Sequence, residues 1–308
     1  GASELELAIK PERAVQQSDL AGLLERAALT DVRTWQPHEK FELNRRLLEQ
    51  AFPDVFRDRN KIRRRVTIYE DQQVRLLYVA VGNPFGDSSK RLGTNLFTDS
   101  ILALTLSTGT LTWHYQQTHH DVWDFDSGNQ PILFDMQVRG QRVRALAEAS
   151  KNGFLYILNR ETGQPVHPIK ETPVPAETTR AGDQLWPTQP IPYTASGKPM
   201  SPVSPVFPVD IPPDHLATRK LVPMFTAPGG PNQIGAPGTG GGASYSPISY
   251  SPQTGLLYVN ASDEPLNGGR PARGYCSAFD PTTGELVWQQ TFEGWGQGGS
   301  VVTAGGLV

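Results

Sequence analysis

One turn recurs three times in this chain, and it limits the fold more than any other feature. Thr108-Gly109, Thr162-Gly163 and Thr283-Gly284 are each followed, four residues beyond the glycine, by a ring: Trp113, His167 and Trp288. A glycine tolerates positive φ, so a Thr-Gly pair closes a hairpin, and a ring one strand-step later can wedge between neighbouring sheets. Self-similarity at this scale is the signature of a repeat architecture. Short apolar runs at Leu76 to Val81, Ile101 to Leu106, Leu111 to Tyr115, Phe154 to Asn159, Leu256 to Asn260 and Glu285 to Gln290 read as strands of such repeats.

The first two turn glycines lie 54 positions apart, a plausible length for one propeller blade, whereas the next gap is 121. Much of the longer gap is the Pro- and Gly-rich stretch at about 171–242, an excursion too rich in proline for central strands. Gly 30 and Pro 27 exceed the combined total of about 37 that average usage gives a chain of this length, so turns are many. The sequence predicts a mainly β fold, a partial (incomplete) β-propeller, with blades over residues 66–308 and a small helical N-terminal segment.

That segment, residues 1–65, shows helical periodicity. Leu20, Leu23, Leu24 and Ala27 recur at helical spacing after a potential N-cap at Ser18; Leu43, Leu47, Leu48 and Ala51 follow Pro37 and stop near Pro53. The basic run Arg57, Arg59, Lys61, Arg63, Arg64 and Arg65 lacks interleaved aromatics and reads as a solvated linker. A formal charge of -3 gives no electrostatic case for nucleic acid, and no apolar stretch is long enough to span a bilayer. A single cysteine, Cys276, excludes an internal disulfide, a CxxCH haem and a cysteine zinc cluster.

Three longer stretches carry a resemblance. Residues 101–126, ILALTLSTGTLTWHYQQTHHDVWDFD, join the repeat turn to an HHDxWDxD segment; residues 151–164 read KNGFLYILNRETGQ; residues 274–306 begin GYCSAFDPTTGELVW. Together they resemble the quinoprotein dehydrogenase family, whose propellers use pyrroloquinoline quinone (PQQ) and a metal ion to oxidise alcohols or sugars. The stretch ETPVPAETTRAGDQLWPTQPIP at 171–192 is similar to a long loop of the membrane-type glucose dehydrogenases in that family.

The resemblance implies an oxidoreductase that passes hydride from a hydroxyl-bearing carbon to metal-bound PQQ. Asp124, in Trp123-Asp124, matches the catalytic base; Lys151 matches a cation beside the quinone oxygens and shares the catalytic assignment. Asn83, in Gly82-Asn83-Pro84, matches a metal ligand, so Asn83, Asp124 and Lys151 form the implied cofactor contacts. Asn83, Asp124 and Asp126 form the implied metal set, for Ca2+ or a lanthanide. Asp126 projects to the same side as Asp124 if the segment is extended. Each residue also has a plain reading: a Trp-Asp pair tying down a blade, a Gly-Asn-Pro turn, a cap before Ser127-Gly128, and a Lys-Asn-Gly hairpin.

His119 and His120, as strand neighbours, face opposite ways and read as core or hydrogen-bonded histidines rather than a chelating pair. Ser244-Tyr245 replaces a common Asn-Trp. Two further departures stand out: the region before Gly-Asn-Pro, Arg63 to Thr67, lacks the family's tryptophan floor under the quinone, and helical sequence stands where the family's earlier blades supply a metal-binding glutamate and further quinone contacts. The resemblance further implies a quinone or cytochrome electron acceptor and a periplasmic location. The departures keep open a non-catalytic or degenerate propeller acting as a binding scaffold, and the N-terminal segment a helical regulatory module fused to the propeller.

Overall fold

The computed structural model describes residues 66–71, 74–175, 185–203, 211–228, 232–265 and 271–308; the expected helices of residues 1–65, the arginine run and the missing tryptophan floor lie outside the described side chains. Three antiparallel sheets form the body. The first is β1 (Val66–Asp71), β2 (Leu76–Val81), β3 (Ser100–Thr105) and β4 (Leu111–Gln116), paired in sequence order. The second is β5 (Ile132–Val138), β6 (Gln141–Ala149) and β7 (Leu155–Asn159).

The excursion contributes two small pairs: antiparallel β8 (Ile169–Pro173) with β9 (Thr188–Pro192), and parallel β10 (Lys220–Leu221) with β11 (Gln233–Ile234). The third large sheet is β12 (Ser249–Ser251), β13 (Leu256–Asp263), β14 (Arg273–Phe279) and β15 (Leu286–Glu293). The four-stranded meander is the unit of a propeller blade. Among the described residues the sheets do not close on one another into a ring.

The repeated turn is the same object three times. The N–H of Gly109, Gly163 and Gly284 donates to the carbonyl four residues back, on Thr105, Asn159 and Asp280, at 2.8, 2.8 and 2.7 Å. The glycines take φ of 68°, 72° and 74°, the left-handed region that a side chain disfavours. Even the pairing irregularity recurs: the register shifts between Ala103 and Leu104 and again between Ala278 and Phe279, at matching positions before each turn.

The ring four residues on docks against the turn of the following sheet. Trp113 Nε1 donates to the Arg160 carbonyl at 3.1 Å, three residues before Gly163, and the indole lies flat enough on that glycine that an added Cβ would sit 2.7 Å from it. His167 Nε2 contacts the Pro281 carbonyl at 2.8 Å, again three residues before the turn glycine. His167 occupies the position of a fourth strand that barely forms: in the second sheet only a Leu158–Pro165 bridge extends β7, because Pro165 and Pro168 cannot donate to a ladder.

Apolar side chains fill the space between sheets. Tyr78, Trp113, Leu146 and Leu158 pack between the first and second, and Phe134, Ala147, Ile157, Val259 and Phe279 between the second and third. Full burial of each large side chain stabilises by about 1.5–3 kcal/mol. A separate aromatic cluster of Trp123, Phe125, Phe154, Tyr156 and Phe225 lies under the loop that leaves β4. That loop carries the HHDxWDxD segment.

Candidate active site

The loop is anchored by its rings. Trp123 and Phe125 stack with centroids 5.9 Å apart, Phe225 meets both edge-on, and Trp123 Nε1 donates to the Thr226 carbonyl at 2.7 Å. With both neighbours drawn into the aromatic cluster, Asp124 between them is left facing away from it. Its backbone takes φ 70°, so the segment is not extended at this point, and the side chain is half-exposed.

Four groups meet there. Lys151, in the turn between β6 and β7, places Nζ 2.7 Å from Asp124 Oδ2 and 3.1 Å from Asp126 Oδ2. Asn83, just past the end of β2, donates through Nδ2 to Asp124 Oδ1 at 2.6 Å and through its backbone N–H to Asp126 Oδ1 at 2.7 Å. Tyr245 adds a hydroxyl 3.3 Å from Asp126 Oδ2. Residues from four separated stretches of chain thus converge, and the four sequence-predicted residues Asn83, Asp124, Asp126 and Lys151 form one cluster despite the left-handed kink at Asp124.

Burial sets the electrostatics. The Lys151 side chain is 7% exposed and that of Asp126 10%, against 49% for Asp124. Burial pushes Lys151 downward, but the Asp126 and Asp124 carboxylates outweigh it and the ammonium is held above its usual range. Asp124 is raised, chiefly by burial and further by Asp126, with Lys151 opposing. Asp124 is therefore a carboxylate of enhanced basicity, ion-paired on one oxygen and reachable from solvent. Beside it a cleft of about 320 Å³ is bordered by Asn83, Arg91, Asp121, Val122 and Asp124.

Glycines let the backbone close around Lys151. A Cβ on Gly241 would fall 2.0 Å from Lys151 Cγ, and one on Gly242 would fall 2.4 Å from the Gly153 Cα. The Gly242 N–H donates to the Lys151 carbonyl at 2.7 Å. In the sequence this Gly240-Gly241-Gly242 run looks like more of the flexible excursion, although a run of three glycines is also the signal for close backbone approach. Tyr245 and Asp121 are the other participants that the sequence reading leaves without a role.

The two histidines are bound separately. His119 Nδ1 lies 2.7 Å from Gln116 Oε1 and its Nε2 3.1 Å from Glu171 Oε1, while His120 Nδ1 lies 2.7 Å from the Gly93 carbonyl. Neither touches the Asp124 cluster. Among the described residues no group of three His, Cys, Asp or Glu side chains gathers in metal-binding range. An ion here would need the Asn83 amide oxygen to join the Asp124 and Asp126 carboxylates. Such an all-oxygen set of carboxylate and amide donors suits a hard cation, and reversing the Asn83 amide, whose two ends are interchangeable in shape, presents that oxygen.

Residues 66–268 match the family described as PQQ: Glucose/ethanol/alcohol dehydrogenase, beta-propeller domain. The chain is 34% identical over 215 residues to the glycerol dehydrogenase large subunit of Gluconobacter thailandicus, covering 65% of this chain and 29% of that protein. Among solved structures it is similar to the quinohemoprotein alcohol dehydrogenase from Comamonas testosteroni, with TM-score 0.55 and 25% identity over 78% of this chain and 36% of that one. It is also similar to a europium-containing methanol dehydrogenase, with TM-score 0.54 and 26% identity over 77% and 41%. The chain thus spans between 29% and 41% of the length of these relatives.

Proposed function

Because the chain belongs to the PQQ-dependent glucose/ethanol/alcohol dehydrogenase β-propeller family, we propose that it carries the reacting carboxylate of a quinoprotein that oxidises a hydroxyl group of an alcohol or sugar. The observation that carries this reading is the meeting of Asn83 and Lys151, from two separated stretches of chain, on the half-exposed carboxylate of Asp124 beside a cleft. When bound, the quinone supplies the hydride acceptor and the metal the Lewis acid that polarises it.

The chain's own residues do the rest. A substrate hydroxyl in the cleft donates its proton to Asp124, whose carboxylate retains lone pairs beyond those engaged by Asn83 and Lys151. Burial raises the proton affinity of Asp124, and the Lys151 ammonium 2.7 Å away favours its ionised form, the form a general base needs. Lys151 keeps its charge because two carboxylates hold its proton, so it stabilises negative charge developing on an oxygen beside it. Asn83, Asp124 and Asp126 would hold the ion; calcium and a lanthanide both suit the set, and the europium-containing relative supports the second.

A cytochrome or quinone electron acceptor and the periplasmic location that the resemblance implies belong to this same reading. The test is to supply the purified full chain with PQQ and calcium and follow dye reduction across alcohols and sugars. Turnover that falls about 100-fold or more in Asp124→Asn supports a general base. No turnover in the unmodified chain, or undiminished turnover in the variant, rejects the reading. A non-catalytic binding scaffold predicts the first of those rejecting outcomes and no stoichiometric uptake of quinone and metal.

A further inference from the structure

Asp124 is a non-glycine residue at φ 70°, in the left-handed region, which crowds a Cβ even though aspartate visits it more readily than most residues. Something in the surroundings must hold it there. The aromatic cluster fixes the neighbouring rings, but ring packing constrains side chains and leaves the backbone N–H groups of Trp123 and Phe125, which bracket residue 124, to find partners of their own.

Those partners are on one residue. Asp121 Oδ1 accepts the N–H of Trp123 at 2.8 Å, and its other oxygen, Oδ2, accepts the N–H of Phe125 at 2.8 Å. The two bonds straddle Asp124. A carboxylate is the side chain that offers two acceptor oxygens on a rigid fork with no donor, so it matches two inward-facing N–H groups as neither asparagine nor serine can. The side chain is short, 2% exposed, and borders the same cleft as Asp124 without touching Asn83 or Lys151. Burial pushes Asp121 up to about 7, and the two backbone N–H groups oppose that rise by favouring the ionised form.

We propose that Asp121 is a positioning residue: its carboxylate clamps the amides on both sides of residue 124, holds the left-handed turn, and thereby aims the Asp124 carboxylate at Asn83 and Lys151. The clamp deepens the proposed function, since an aimed Asp124 matters to catalysis only if that carboxylate is the base and ion ligand. Without the clamp the turn relaxes, Asp124 swings out of line, and the ion site loses a ligand while the sheets stay folded.

Two measurements on the full chain separate the clamp from the reading it rests on. The first is thermal melting of Asp121→Asn alone and combined with Asp124→Gly. Glycine adopts positive φ without penalty, so the loss of melting temperature caused by Asp121→Asn is expected to shrink by half or more in the Asp124→Gly background. Equal losses in both backgrounds overturn the clamp; so does failure of Asp121→Asn to fold in both, whereas folding restored by Asp124→Gly supports it. The second is terbium luminescence titration. The unmodified chain should bind the ion, Asp124→Ala should abolish binding, and Asp121→Asn should weaken it by about 10–100-fold, the usual cost of removing a ligand's support. Unchanged affinity in Asp121→Asn counts against the clamp, while no binding in the unmodified chain removes the ion reading and leaves the melting comparison to decide the clamp.

Discussion

The contact of Trp113 with Gly163 is the joint between the first two sheets, and replacing Gly163 with alanine tests it directly. Two penalties act together there. Alanine at φ 72° leaves the favoured backbone region, which costs about 1–2 kcal/mol. The new Cβ would also fall 2.7 Å from Cδ2 and Cε3 of Trp113, inside van der Waals contact, and overpacking of this kind costs about 1–3 kcal/mol. Trp113 cannot step aside cheaply, because its Nε1 is tied to the Arg160 carbonyl and its ring meets that of Tyr78 at 5.8 Å. Gly197→Ala supplies the control: Gly197 has φ 85° but nothing within 4 Å of an added methyl, so it carries the backbone penalty alone. Chemical denaturation followed by tryptophan fluorescence should therefore place Gly163→Ala about 1–3 kcal/mol below Gly197→Ala. Equal stabilities for the two variants would refute the wedge as the joint between sheets.

Other expectations follow from the site and the core. Gly241→Ala should lower both thermal stability and turnover, because its Cβ would meet Lys151 Cγ at 2.0 Å, while Gly298→Ala, with open space around it, should change neither; thermal melts and dye reduction read both. Turnover should fall as pH falls through the pKa of Asp124, since only the ionised carboxylate accepts a proton, and Lys151→Met should move that midpoint to higher pH by removing the ammonium that favours the ionised form. Burial pushes Glu148 up to about 8, so between its unfolded value near 4.5 and 8 the folded chain holds a proton that the unfolded chain has released, and stability declines with rising pH across that window. Chemical denaturation should therefore find Glu148→Gln more stable than the unmodified chain at pH 8, by on the order of a few kcal/mol, with the advantage gone near pH 4.

The sheets were legible where strands are apolar on both faces and illegible where they are not. β2 and β3 read directly from LLYVAV and SILALT because both are buried along nearly their whole length. β5 and β6 escape an apolar-run search: β6 opens with Gln141, Arg142 and Arg144 at the exposed end of a long hairpin and turns inward only from Ala145. β14 is hidden for the opposite reason. Its interior positions Gly274, Ser277 and Ala278 are small, poor strand formers in isolation, yet the missing side chain at Gly274 is what lets the Phe292 ring of β15 lie over it. Tertiary packing decides both cases, and no local propensity records it.

The site divides along the same physical line. Asn83, Asp124, Asp126 and Lys151 could be singled out one at a time because each sits in a recognisable short motif, but nothing in their spacing says that positions 83, 124 and 151 meet. That follows from propeller geometry, in which turns at the same end of successive sheets face a common axis. The supporting residues are legible only in three dimensions. Gly241 looks like flexible loop until Lys151 is placed against it, and Asp121 looks like one more acidic residue until its two oxygens are seen to accept the amides flanking a left-handed Asp124. Charge-bearing groups announce themselves by residue type, whereas the groups that aim them act through backbone shape, and backbone shape at a single residue is set by contacts from distant parts of the chain.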